Sequence, residues 1–226
     1  MERPDQIVAG AWFEGRWIDI TRPISEVTPV WPGDVPFRLD RKIDGDMVLS
    51  SFTTTCHVGT HVDAPLHLDT GASGVDSIPM SRMVGIAEVV TAGGDGRVIG
   101  TDDLPDDWSP AAKRVLIRTD SQPLDAAIAG GFRALGAEVV HWLADRDVEL
   151  IGVDVPSVDI FEADELVAHR ALMERGLTWI EGLWLGDVEP GRYFMVALPM
   201  LLVDTEAAPV RAILRPLPLS GAGRTS

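Results

Sequence analysis

Short apolar runs alternate along this chain with gaps marked by glycine and proline, and the period within each run predicts its element. Trp17-Ile18-Asp19-Ile20 predicts a first strand, and Val30-Trp31-Pro32-Gly33-Asp34 a turn with an aromatic at its edge. Met47–Cys56, rich in threonine and apolar residues, predicts a strand that runs into a histidine-rich segment. Val84–Thr91 predicts another strand, and the glycines of Ala92–Gly96 a hairpin turn rather than a dinucleotide loop, since no helix pattern follows them. Lys113–Thr119 is a strand with a continuous apolar centre. Phe132–Arg146 has apolar residues at 132, 135, 139, 142 and 143, the spacing of a helix. Val148–Val153 predicts a buried strand, Ala163–Arg175 a helix stopped by Gly176, and Leu177–Ile180 a strand that ends at Glu181-Gly182. Tyr193–Ala197, Met200–Val203 and Val210–Leu214 complete the strand set. Strands outnumber helices and the helices concentrate mid-chain, which predicts an α/β domain with a mixed sheet and few crossover helices.

Composition narrows the classes of function. The 226 residues suit one domain spanning 1–226, with residues 1–16 as an N-terminal arm and the Gly- and Ser-rich 220–226 as a flexible tail. A hydrophobic share of 46% is enough for a sizeable core. The net charge of −16 repels nucleic-acid phosphates and anionic membrane surfaces, so neither partner is expected. The single cysteine, Cys56, excludes an internal disulfide framework and reads as a core residue. Residues Met1–Gln6 have no apolar core or cleavage pattern, and the longest uncharged apolar stretch, Tyr193–Val203, is 11 residues with Pro199 inside it. A cytoplasmic protein is expected.

The candidate chemistry lies in His57-Val58-Gly59-Thr60-His61-Val62-Asp63-Ala64-Pro65-Leu66-His67, which holds three of the five histidines. Residues 57, 61, 63 and 67 share parity, so an extended backbone projects them to one side. Gly59, Pro65 and the β-branched Val58, Thr60 and Val62 disfavour a helix. Imidazoles with a carboxylate suit a borderline divalent metal such as zinc or manganese. His57, His61 and Asp63 supply at most three ligands. His169, on the helix 163–175, and Glu181, 12 residues later, could add two more. On spacing alone, a surface histidine and a strand-end glutamate remain an open alternative. His141 has no carboxylate in motif spacing and reads as structural.

The run His-x-Gly-Thr-His-x-Asp-x-Pro-x-His resembles the signature of the cyclase-like metal hydrolases, a family that includes bacterial kynurenine formamidase (arylformamidase) and isatin hydrolase. The resemblance extends along most of the chain. It takes in Trp17–Ile20 with Trp31-Pro32-Gly33-Asp34, Arg114–Thr119, Gly152–Asp159, Ile180–Leu183 and Ala208–Arg215, and these segments lean towards the formamidase branch. It implies a swivelling β/β/α domain that assembles as a homodimer or higher homo-oligomer. It also implies two divalent metal ions per subunit, of zinc type in the family's usage, with manganese as the alternative. By position, His57, His61 and Asp63 would hold one ion. Asp63 would bridge to a second ion completed by His169 and Glu181. His67 would be the proton donor and acceptor, and Trp31 would contact an aromatic substrate. Val155, Leu68, Arg170, Val58 and Val62 depart from the usual residues, and none removes an implied ligand.

The implied reaction converts N-formyl-L-kynurenine to L-kynurenine and formate. Metal-activated water would attack the formyl carbon, and His67 would protonate the departing aniline nitrogen. Two alternatives keep the residues and change the role. One is hydrolysis of a cyclic amide such as isatin. The other is a metal-binding protein without catalysis, against which the spare imidazole of His67 argues.

Overall fold

The computed structural model describes residues 16–119, 123–161, 163 and 165–217. Nearly all of the expected arm (1–16) and the whole tail (220–226) lie outside these residues. The strands are β1 (Ile18–Asp19), β2 (Arg38–Asp44), β3 (Met47–Thr53), β4 (His61–Asp63), β5 (Val84–Thr91), β6 (Val98–Ile99), β7 (Arg114–Arg118), β8 (Ala134–Leu135), β9 (Leu150–Val153), β10 (Thr178–Glu181), β11 (Gly191–Pro199) and β12 (Ala207–Pro216). The helices are α1 (Met80–Met83), α2 (Leu124–Gly130), α3 (Ala137–Ala144) and α4 (Val167–Glu174).

The main sheet has the order β1-β12-β11-β5-β7-β9-β10-β4, and β4 also pairs with β12. That second pairing closes seven strands into a barrel, with β1 sharing the free edge of β12. The pairs β5–β7, β7–β9 and β9–β10 are parallel, and the rest of the ring is antiparallel. The expected mixed-sheet α/β architecture with few helices is what the chain adopts.

Side-chain alternation divides the apolar residues between two cores. Val62, Ala87, Leu116, Leu150, Ile180, Met195 and Ala212 belong to a cluster drawn from every ring strand, the barrel interior. Their strand neighbours Val90, Val115, Ile117, Ile151 and Trp179 join Val139, Val140 and Leu143 of α3 and Ala168, Ala171 and Leu172 of α4 in a second cluster outside the wall. Continuous apolar runs such as Val115-Leu116-Ile117 are thus explained by burial on both faces.

Several local expectations need correction. The helix expected over 132–146 is confined to Ala137–Ala144. Phe132 and Leu135 are buried as the period required, but Ala134 and Leu135 are extended and pair in parallel with β6. The helix expected over 163–175 begins at Val167 and does end before Gly176, which adopts φ +63°. Ala92–Gly96 is no hairpin, because both edges of β5 are taken by β11 and β7 and the chain leaves the sheet towards β6. Met200–Val203 is a loop. Pro199, which lacks an N–H, ends β11, and Asp204 sits at φ +56°. The strand expected over 47–56 stops at Thr53 and pairs with β2, which the pattern left unpredicted. Cys56 is half-buried rather than in the core, with its thiol pushed up by burial and by the Glu206 carboxylate. No helix among the described residues is long and apolar enough to cross a membrane.

Candidate metal centre and substrate cavity

The histidine signature is not one extended strand. Residues 56–60 form a turn with Gly59 at φ +67°, only His61–Asp63 is strand, and Pro65–His67 is a 3-10 turn. The shared-parity argument therefore holds for 61 and 63 alone. His57 and His67 arrive beside them because the chain bends at both ends of β4.

The antiparallel register of β4 with β10 sets His61 opposite Glu181 and Asp63 opposite Trp179, so all four face the outside of the barrel wall. There α4 packs across them and supplies His169. His61 Nε2 lies 3.3 Å from Glu181 Oε2 and 3.5 Å from Asp63 Oδ1. His169 Nε2 lies 3.4 Å from Glu181 Oε1 and 3.6 Å from Asp63 Oδ2. His57 Nδ1 lies 3.1 Å from Asp63 Oδ1. The His67 ring sits 4.5 Å from that of His57 and 5.6 Å from that of His169. All five residues named as ligands are thus drawn to one place, with His67 beside them.

Two sets of three potential ligand atoms are mutually within 4.8 Å: His61, Asp63 and Glu181; and His57, Asp63 and His67. Asp63 belongs to both. This grouping differs from the implied partition, which put His57 and His61 about one ion.

For His61 and His169 the ring nitrogen that faces away from the cluster is anchored. His61 Nδ1 meets the Gly59 carbonyl at 3.2 Å, and His169 Nδ1 meets Asp159 Oδ2 at 2.6 Å. His57 Nε2 lies 3.6 Å from Glu206 Oε1, beyond hydrogen-bond length, so this ring is not fixed in the same way. Anchoring an outer nitrogen to a carbonyl or carboxylate leaves the inner one free to ligate. Inside, His61 Nε2 and Asp63 Oδ1 are buried without a hydrogen-bond partner. Such orphans are costly unless something satisfies them.

Electrostatics point the same way. Burial alone would lower the His61 and His169 pKa values, but their carboxylate partners outweigh it and raise them to about 9 and about 10. Burial would raise Asp63, yet the surrounding imidazoles hold it well below the usual range. Burial lowers His67, with His57 and His169 adding to the effect against Asp63. The described residues lining the adjoining cavity include four imidazoles and three carboxylates but no Lys or Arg. The donor set and its unmet demand for positive charge fit divalent metal ions of the zinc or manganese type.

The cavity, about 480 Å³, is lined by His57, His61, His67, His169 and Glu181 of this cluster. Trp31, Phe161, Ile160, Pro156, Leu124 and Ile128 are among the apolar residues of its lining. Trp31 stands 4.7 Å from the Phe161 ring and 6.5 Å, edge-on, from Phe132. The Trp31-Pro32-Gly33-Asp34 turn therefore does reach the cavity. His141, on α3, is half-buried and is not among the lining residues.

Several supporting residues carried no signal that spacing could read. Asp159 accepts from the backbone N–H groups of Ala168 (2.9 Å) and His169 (3.1 Å), capping α4 from outside, while it holds the His169 ring. Trp179 Nε1 donates to Asp63 Oδ2 at 3.1 Å, and the Val158 N–H donates to Glu181 Oε1 at 2.8 Å. The Gly59-Thr60 of the signature brackets the other side. The Thr60 hydroxyl donates to the Gly182 carbonyl at 2.7 Å and accepts from the Arg22 N–H at 2.9 Å. Asp159→Asn is expected to weaken metal affinity by about 10–100-fold while leaving the fold intact, as calorimetric titration of metal into the variant would measure. Wild-type affinity would remove Asp159 from the site.

Comparison with known proteins agrees with this architecture. The family described as "Putative cyclase" matches residues 18–160. Kynurenine formamidase of Salinibacter ruber is 38% identical over 212 residues, covering 89% of this chain and 98% of the relative. That of Bordetella pertussis is 36% identical over 203 residues, covering 88% and 97%. A solved structure described as a potential metal-dependent hydrolase with cyclase activity superposes with a TM-score of 0.76 at 30% identity, covering 90% of this chain and 99% of that one. An isatin hydrolase bound to thioisatinate shares the fold, with a TM-score of 0.75 at 19% identity. The chain belongs to the cyclase family. Within that family it is an arylformamidase-like enzyme, similar over most of its length to the kynurenine formamidases.

Proposed function

We propose that this protein hydrolyses N-formyl-L-kynurenine to L-kynurenine and formate. The observation that carries the reading is the composition of the cavity walls. The lining combines an imidazole–carboxylate cluster suited to cations with aromatic and apolar side chains, Trp31 and Phe161 among them. An aryl formamide presents matching halves, a polar formyl group and a flat ring.

His57, His61, Asp63, His169 and Glu181 would hold two divalent ions, zinc by preference, with Asp63 common to both. Such ions, when bound, supply Lewis acidity that polarises a carbonyl and acidifies water. The remaining steps belong to side chains. Trp31 and Phe161 hold the aryl ring and exclude water from that side. The His67 imidazole takes the proton of the attacking water and passes it to the aniline nitrogen as the carbon–nitrogen bond breaks. Formic acid, which gives its remaining proton to solvent and becomes formate, and a neutral aryl amine then leave.

The test combines metal analysis with a spectrophotometric formamidase assay, run in parallel on isatin. Two equivalents of divalent metal, turnover of N-formyl-L-kynurenine well above that of isatin, and loss of turnover on chelation with recovery on adding zinc or manganese are expected. Metal-replete protein without formamidase activity would overturn the substrate, and faster turnover of isatin would redirect it to cyclic amides.

A further inference from the structure

Arg22 is a buried cation that no step of the proposed reaction uses. It is 5% exposed, and burial lowers its pKa to about 10 against the upward pull of Asp154, so it stays charged at neutral pH. Keeping a charge out of water is costly, and an apolar side chain of similar volume is often the more stable choice. A guanidinium, however, can grip two carbonyls at once. Here its Nε donates to the Gly182 carbonyl at 3.2 Å and its Nη2 to the Asp154 carbonyl at 2.9 Å. Its central carbon lies 4.9 Å from the Trp184 ring centre.

These contacts fall on backbone that carries the cluster. Gly182 follows Glu181 directly. Asp154 follows β9, and the Val155 carbonyl beside it accepts from the Gly182 N–H at 2.9 Å. The Gly182 carbonyl takes a second hydrogen bond from the Thr60 hydroxyl, which itself accepts from the Arg22 N–H. Thr60 directly precedes His61. The strap that bears Arg22 is held to the same corner, since the Trp184 N–H donates to the Ile20 carbonyl at 2.8 Å. Gly59 and Gly182 offer no side chain to pack, so hydrogen bonds to backbone are left to hold these two turns.

We infer that Arg22 is a positioning residue of the metal centre, which through the Gly182 carbonyl holds Glu181 towards His61 and His169, with Thr60 as its second anchor. Arg22 is not among the described residues that line the cavity, so it acts through the backbone and not on substrate. The role rests on the reading of Glu181 as a metal ligand. Its consequence is one-sided. Loosening the 181–182 corner frees the carboxylate of one ion, while His57 and Asp63 keep their places for the other.

The test counts zinc bound per chain across buffered free-zinc concentrations, with a melting curve of each preparation. The wild-type chain should take up two ions. Arg22→Met, similar in length but without donors, should take up one ion as before and the second only at about tenfold or more higher free zinc. Arg22→Lys serves if Arg22→Met does not fold. It keeps the charge but not the two-armed fork, and should show the same one-sided weakening. Arg114→Met is the matched control. That guanidinium is 8% exposed and donates to the Arg82 carbonyl at 2.7 Å and the Ile86 carbonyl at 3.2 Å, neither of them in the cluster. Its loss should lower the melting temperature and leave both zinc steps in place. Wild-type zinc uptake in the Arg22 variants would overturn the proposal alone. So would an equal shift of both steps, or a one-sided shift in Arg114→Met as well. A wild-type chain that binds fewer than two ions would overturn the ligand reading itself, and the role of Arg22 with it.

Discussion

His67→Ala is expected to lower kcat by about 10²–10⁴-fold while the variant keeps its metal, the loss typical of removing a positioned acid–base group. His67 reaches the cluster from the 3-10 turn Pro65–His67, half-buried and lining the cavity. Its removal leaves the buried set of His61, Asp63, Glu181 and His169 intact, so the melting temperature should barely move. Turnover on N-formyl-L-kynurenine and metal content, measured on the same preparation, decide the matter. Near-wild-type kcat would take His67 out of the mechanism. Loss of one ion per chain would make it a ligand instead, the role that its grouping with His57 and Asp63 would also allow.

Gly182→Ala should destroy the site by a different route. Gly182 adopts φ +67°, and a Cβ there would lie 2.2 Å from the Gly59 carbonyl oxygen, itself part of a left-handed turn at φ +67°. The two glycine corners are packed back to back, one following Glu181 and the other preceding His61 by two residues. Neither backbone can move without carrying a proposed ligand with it. The expected destabilisation is on the order of 3 kcal/mol or more, since steric overlap adds to left-handed strain. For a chain of this size that is a fall in Tm of roughly 6–12 °C. Metal binding should fail as well. Gly176→Ala is the matched control. It has a similar φ of +63° but nothing within 4 Å of its Cβ, so it should cost only about 1–2 kcal/mol. Equal melting shifts in the two variants would show that strain, not the Gly59–Gly182 contact, governs this corner.

Much of the fold was legible because the ring strands are buried on both faces. Val84–Thr91 is recovered as a strand at its expected bounds, and Arg114–Arg118, Leu150–Val153 and Thr178–Glu181 appear within a residue or two of theirs. Where the reading slipped, a tertiary pairing had overruled a local period. Phe132 and Leu135 kept their helical spacing while the backbone around them was drawn into a strand beside β6. Arg38–Asp44 became a strand with little apolar periodicity of its own, through pairing with Met47–Thr53.

The sequence by itself determined which atoms could do chemistry here: three imidazoles and a carboxylate within eleven residues, with a fourth imidazole and a glutamate twelve apart further on. Residue type and spacing suffice for that, because ligand chemistry is a property of the side chain. What only the tertiary structure decided is how those atoms meet. The expected single extended face does not exist beyond His61 and Asp63. The β4–β10 register sets His61 against Glu181, Asp159 turns His169 inward, and the Gly59–Gly182 contact locks the two corners together. Groups separated by more than a hundred residues come within 4 Å through sheet closure and packing, and no local pattern encodes a contact whose two halves form in different parts of the chain.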